Sequence, residues 1–159
     1  MFGRGFTIGT LFGLRIRIDF SWFIIAALLV WSLSVQYFPT LIEEMGGMLG
    51  IAEGAEVAPS TYWLMGILGT LGLFLSVLLH ELSHALMARR FGIDMRGITL
   101  FIFGGVAEMN DEPPSPRAEF EVAIAGPILS FVLGLACIAV LLLQAVFPLP
   151  PEAVAVLSY

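Results

Sequence analysis

The chain has 159 residues, 58% hydrophobic and 13% charged, with a mean hydropathy of +0.96. Soluble domains carry charge on about a quarter of their residues, so an ordinary water-soluble fold is excluded. The formal net charge is −6, and the single cysteine, Cys137, rules out an intrachain disulfide and a thiolate-built metal site.

The opening segment, Met1 to Ile18, holds Gly3, Gly5, Gly9 and Gly13 and ends on the alternating run Arg15-Ile16-Arg17-Ile18. That pattern disfavours helix and suits a short strand or an interfacial lead-in. Three apolar stretches follow, and a helix needs about 20 apolar residues to cross a hydrocarbon core. They predict membrane spans at 20–38, 61–90 and 118–147 within one core covering 1–159. Pro39 is read as the stop of the first span, and Ser60 or Thr61 as the N-cap of the second. Gly66, Gly69 and Gly72 suit close helix packing in lipid. Gly92 suits the left-handed cap that ends the second span.

Residues 97–109 are too short to span but rich in strand formers around Gly104-Gly105, which predicts a β-hairpin. Pro113, Pro114 and Pro116 then separate the hairpin from the third span. The fold class expected is an α-helical multi-pass membrane protein: three transmembrane helices with a short membrane-associated β-hairpin between the second and third. Arg4, Arg15 and Arg17 precede the first span, Arg89, Arg90, Arg96 and Arg117 lie between the second and third, and the loop from Pro39 to Ser60 has no basic residue. The positive-inside rule then expects a cytoplasmic N-terminus and an extracytoplasmic end at Tyr159. The bilayer is the expected partner, and nucleic acid is not.

The chemistry lies in His80-Glu81-Leu82-Ser83-His84. Histidines at i and i+4 project from one helix face and can share a metal ion, with Glu81 beside them as general base. In zinc hydrolases of this pattern the ion lowers the pKa of a water toward 7, and the carboxylate takes the proton as that water attacks a carbonyl. A lone histidine in an apolar helix is more often a packing residue. Here the two histidines are the only ones in the chain, and ionisable groups at membrane depth cost on the order of 2 to 3 kcal/mol each, which favours a shared function.

With these residues the sequence resembles the site-2 protease family of intramembrane zinc metalloproteases. His80 to His84 stand late in the second span, Phe103-Gly104-Gly105 follow in the place of the family's hairpin, and Ala125-Gly126-Pro127-Ile128-Leu129-Ser130 match its Ala-Gly-Pro-x-x-Ser/Asn element. Leu14 to Trp22 looks like the family's opening, which ends in Ser-Trp. The resemblance implies cleavage of a transmembrane protein substrate, one zinc ion held by His80 and His84, Glu81 as catalytic base, and substrate binding by Phe103, Gly104, Gly105, Gly126, Pro127 and Ser130, with Gly126-Pro127 lining the active-site cavity. An edge of the hairpin would hold the unwound substrate by strand addition; the blander reading is that the hairpin fills space beside the site. Ser130 has the competing role of bonding its own helix backbone, and Pro127, which removes a backbone donor and so frees a carbonyl near Val122 and Ala123, that of a packing kink.

A catalytic zinc site has three protein ligands, and the motif supplies two. The family's third is an aspartate in a downstream Asn-Pro-x-x-x-x-Asp-Gly element, absent before Tyr159; Asp94 and Asp111 are poor substitutes. The expectation is a chain that stops before this ligand. Three other readings stay open. One is an inactive homologue or fragment that binds membrane segments without hydrolysis. The second is a membrane-anchored HExxH protease of another class. The third is a histidine-gated ion pathway, which leaves the i, i+4 pair with its adjacent glutamate unexplained.

Overall fold

The computed structural model describes residues 5–45, 57–109 and 111–143. In chain order these form β1 (Gly5–Leu11), β2 (Leu14–Asp19), α1 (Phe20–Ser32), a π-turn (Leu33–Tyr37), α2 (Phe38–Met45), α3 (Pro59–Arg90), β3 (Met95–Phe101), β4 (Gly104–Met109) and α4 (Pro116–Leu143). Three helical stretches, Phe20–Glu44, Pro59–Arg90 and Pro116–Leu143, are long and apolar enough to cross a membrane. The helices leave Leu28, Trp31, Leu71, Phe131 and Leu135 exposed, the surface that hydrocarbon can cover.

The chain divides into two compact units, Met1–Ile25 with Phe74–Leu133 and Ala26–Leu73 with Gly134–Tyr159. In the first, a four-stranded sheet has the order β1-β2-β3-β4. The outer pairs are antiparallel, while β2 and β3 run parallel, from Arg15↔Gly97 to Ile18↔Leu100. A parallel pair needs a long crossover, and here α1 to α3 supply it. The expected hairpin is therefore half of a larger mixed sheet. Its turn also lies earlier than the glycine pair suggests: β3 ends at Phe101, and Gly104 and Gly105 belong to β4. Gly104 takes φ +126 as that strand begins, a conformation that favours glycine.

Alternation in β2 sends Leu14, Ile16 and Ile18 inward and leaves Arg15 and Arg17 exposed. Leu14 and Ile16 join Leu82, Ala85 and Ala88 of α3, Met95 and Ile98 of β3 and Val122 of α4 in one apolar core. α3 ends in a Schellman cap. Ile93 N–H bonds Ala88 O, Gly92 N–H bonds Arg89 O, and Gly92 has φ +77. This fixes where α3 stops and β3 starts, directly after the histidine-bearing turns.

In the second unit, Leu33, Phe38, Ile42 and Met65 form a separate core. Gly66 lies against Ser34 and the Val30 carbonyl, and Gly69 against Leu33 and Phe38, so small residues here permit close helix approach. Two helix boundaries differ from expectation. Pro39 does not stop the first helix, because it follows the π-turn. There Phe38 N–H already bonds Leu33 O, five residues back, so the missing proline donor falls where the α-helical ladder is already interrupted. Likewise α3 begins at Pro59, ahead of Ser60 and Thr61, with Thr61 N–H bonded to Ala58 O. Proline is suited to a first helical position because its fixed φ is helical and its absent N–H would be unpaired there anyway. The loop glycines Gly46 and Gly47 lie outside the described residues.

Candidate metal and catalytic site

His80 and His84 sit one turn apart on α3, their rings 4.8 Å apart between centroids. Their Nε2 atoms face each other at 3.1 Å. Two nitrogen ligands about 2.0–2.1 Å from a tetrahedral ion stand roughly 3.3 Å apart, so the imidazoles are close to the spacing of a chelating pair.

Both remaining ring nitrogens are held by α4. His84 Nδ1 lies 2.6 Å from the Val122 carbonyl, which only accepts, so this nitrogen carries the hydrogen and leaves Nε2 a bare lone pair. His80 Nδ1 lies 2.8 Å from Ser130 Oγ. A hydroxyl both donates and accepts, so Ser130 can satisfy either tautomer of His80. The partner of His84 was missed from sequence because it is a main-chain atom.

Gly126 is buried against the pair: a Cβ there would collide with Nε2 of both His84 and His80. The absent side chain leaves a cradle in front of the two facing Nε2 atoms. This donor set and space fit a zinc ion. Among the described residues no group of three His, Cys, Asp or Glu side chains could hold an ion. Asp94 and Asp111 are exposed in connecting segments.

Glu81 faces β4, one of the two edge strands of the sheet. A Cβ on Gly105 would come 2.5 Å from Glu81 Cγ, so glycine lets the strand backbone close on this side chain. Two hollows flank the contact. The larger, about 460 Å³, is lined by Glu81 and His84 together with apolar Met95, Val106, Met109 and Val122. The smaller, about 290 Å³, is lined by His80, Glu81, Phe103, Gly104, Gly105 and Ser130. Met95, Met109 and Val122 were not anticipated as site residues; nothing in their types distinguishes them from core.

The structure thus brings His80, Glu81, His84, Gly105, Gly126 and Ser130 together. Phe103 borders the smaller hollow but is 88% exposed at the tip of the β3–β4 turn. Pro127 is exposed and borders neither hollow. Paired nitrogen donors, an adjacent carboxylate and a strand edge can hold a divalent ion, move a proton and receive an extended polypeptide.

Residues 68–156 match the profile of peptidase family M50. Over 147 residues the chain is 35% identical to the sll0528 protein of Synechocystis sp., named provisionally as a zinc metalloprotease, which covers 92% of this chain and 35% of that protein. It is 41% identical over 68 residues to zinc metalloprotease MJ0392 of Methanocaldococcus jannaschii, covering 43% of this chain and 20% of the other. Its fold is similar to that of a site-2 protease from Methanocaldococcus jannaschii, with a TM-score of 0.55 at 21% identity, over 96% of this chain and 60% of that one. The chain spans 20 to 35% of the length of these curated relatives.

Proposed function

The chain belongs to peptidase family M50, and from this premise we propose that it carries the motif-bearing part of a zinc-dependent endopeptidase that cleaves membrane-embedded polypeptides. The observation that carries the reading is the facing pair of Nε2 atoms, 3.1 Å apart, with Glu81 next to it in sequence and facing the edge strand.

In this reading His80 and His84 hold the ion through Nε2, oriented by Ser130 and the Val122 carbonyl. A bound zinc would supply Lewis acidity, polarising the scissile carbonyl and making a water acidic near neutral pH. Glu81 accepts the proton of the attacking water and returns it to the leaving amine. Gly126 keeps the space before the imidazoles open, so it serves the metal site more directly than the substrate.

A peptide bond within a helix is shielded by its own hydrogen bonds, so a transmembrane substrate must be unwound before attack. The edge of β4 offers main-chain partners for the extended segment. The larger hollow, with Met95, Val106, Met109 and Val122, suits an apolar substrate side chain. In this reading the arginine-bearing segments before the first span and after the second favour, by the positive-inside rule, a site toward the cytoplasmic side.

Metal removal tests the reading. Treating the purified protein in liposomes with a zinc chelator should abolish cleavage of a co-reconstituted single-span substrate, and added zinc should restore it. Cleavage that survives complete chelation contradicts it.

A further inference from the structure

The Ser-Trp pair that closes the lead-in, Ser21-Trp22, has no place in the chemistry described above, yet it reaches the site by two routes. Trp22 packs on Phe74, ring centroids 4.7 Å apart, and Phe74 lies on α3 six residues before His80. Ser21 reaches the hairpin. Its Oγ accepts the backbone N–H of Ile102 at 3.2 Å, in the turn between β3 and β4.

The parallel ladder explains why that bond is needed. β2 and β3 are paired as far as Ile18↔Leu100. At Phe20 the chain leaves the strand for helix α1, so the next turn residue, Ile102, has no strand partner on that side. A polar backbone group in this setting needs a replacement, and the serine hydroxyl provides it.

Asp19 orients that hydroxyl. Its Oδ1 accepts the Ser21 O–H at 2.7 Å and the Ser21 backbone N–H at 2.9 Å. The backbone bond is a helix N-cap; the hydroxyl bond spends the serine hydrogen on Asp19 and leaves a lone pair for Ile102. These bonds hold the Asp19 carboxyl below the usual carboxylate range, so it remains an acceptor at neutral pH.

The turn anchored in this way continues into Phe103, Gly104 and Gly105, which line the smaller hollow with His80 and Glu81. Gly105 is the point at which the strand closes on the Glu81 side chain. A shift of the turn therefore changes the distance between the edge strand and the carboxylate.

We infer that Ser21 is a positioning residue, whose hydroxyl, oriented by Asp19, holds the Ile102 amide and thereby sets the Gly104-Gly105 backbone against Glu81 for substrate binding. The inference rests on the proteolytic reading, and specifically on strand addition at β4.

Ser21→Ala separates this role from folding, because the helix cap uses the Ser21 backbone N–H and survives the substitution. The probe is a fluorescent single-span apolar peptide bound by the Glu81→Gln protein in nanodiscs, where no turnover intervenes. Adding Ser21→Ala should weaken binding about fivefold, the scale of one hydrogen bond, and accelerate amide exchange at Ile102 to Gly105, with helix content unchanged. Ser21→Thr, which keeps the hydroxyl, should bind within about twofold of the parent. Faster exchange with unaltered binding overturns the positioning role, as does failure of threonine to restore it. Absence of peptide binding by the parent overturns strand addition itself, leaving exchange at Ile102 to judge whether Ser21 anchors the turn. Undiminished cleavage by Glu81→Gln would count separately, against the proteolytic reading.

Discussion

Glu81→Gln is expected to lower cleavage of a membrane substrate about a thousandfold, within the range lost with a general base, while leaving zinc content unchanged. Glutamine has nearly the size of glutamate and keeps an acceptor oxygen, but it takes up no proton at neutral pH. The side chain is confined between α3 and the Gly105 backbone, so an isosteric replacement keeps the packing there. The metal pair is untouched, since neither imidazole relies on Glu81 for a hydrogen bond: their Nδ1 atoms are held by Ser130 and Val122. Substrate affinity should stay within about threefold, because the proton-accepting role is exerted in the transition state. The assay is single-turnover cleavage in liposomes beside elemental analysis of the same preparation. A Glu81→Gln protein that cleaves at the wild-type rate removes the carboxylate from the mechanism.

The second large effect is expected at Gly126. A methyl group there would occupy the space in front of both Nε2 atoms, so Gly126→Ala should weaken zinc binding by about a hundredfold or more. That exceeds the usual loss from outer partners of a metal ligand, about 10- to 100-fold, because the methyl competes with the ion for its position. Alanine is the better helix former by about 1 kcal/mol, but its methyl also overpacks the contact of α4 with the imidazoles, so helix content and thermal stability are measured beside the titration to separate metal loss from unfolding. Titration with a coloured metal substitute such as cobalt reads the affinity directly. Binding equal to wild type would mean that the ion does not lie between the imidazoles and Gly126.

These two residues show what the sequence made legible. Spacing of four places His80 and His84 on one face of any helix, so their meeting needed no tertiary knowledge. The same holds for alternation in Arg15 to Ile18 and for Gly92, where a local backbone preference fixes the cap. Gly126 was legible only as part of a resemblance. That a missing side chain makes room for two imidazoles depends on the packing of α4 on α3, which leaves no local pattern.

The sheet divides in the same way. Strand character at β2 and β3 is written in their residues, but their parallel pairing joins segments on either side of α1, α2 and α3. The Val122 carbonyl is a main-chain group and has no letter of its own. Proline stops an uninterrupted α-helix, but the π-turn before Pro39 already interrupts the ladder, and a π-turn has no local sequence signature. The Gly104-Gly105 pair drew the expected turn too far along the chain, when the tighter demand on glycine came from the closeness of Glu81.

Everything proposed for the site depends on His80 and His84 together holding a zinc ion beside Glu81. The most direct test is zinc per chain, by elemental analysis of the purified protein and of His84→Ala, with helix content confirming that both are folded. The expected result is at least about tenfold more zinc in the wild type than in His84→Ala, since loss of one of so few ligands leaves no stable site. Equal zinc in the two proteins would contradict a shared zinc site.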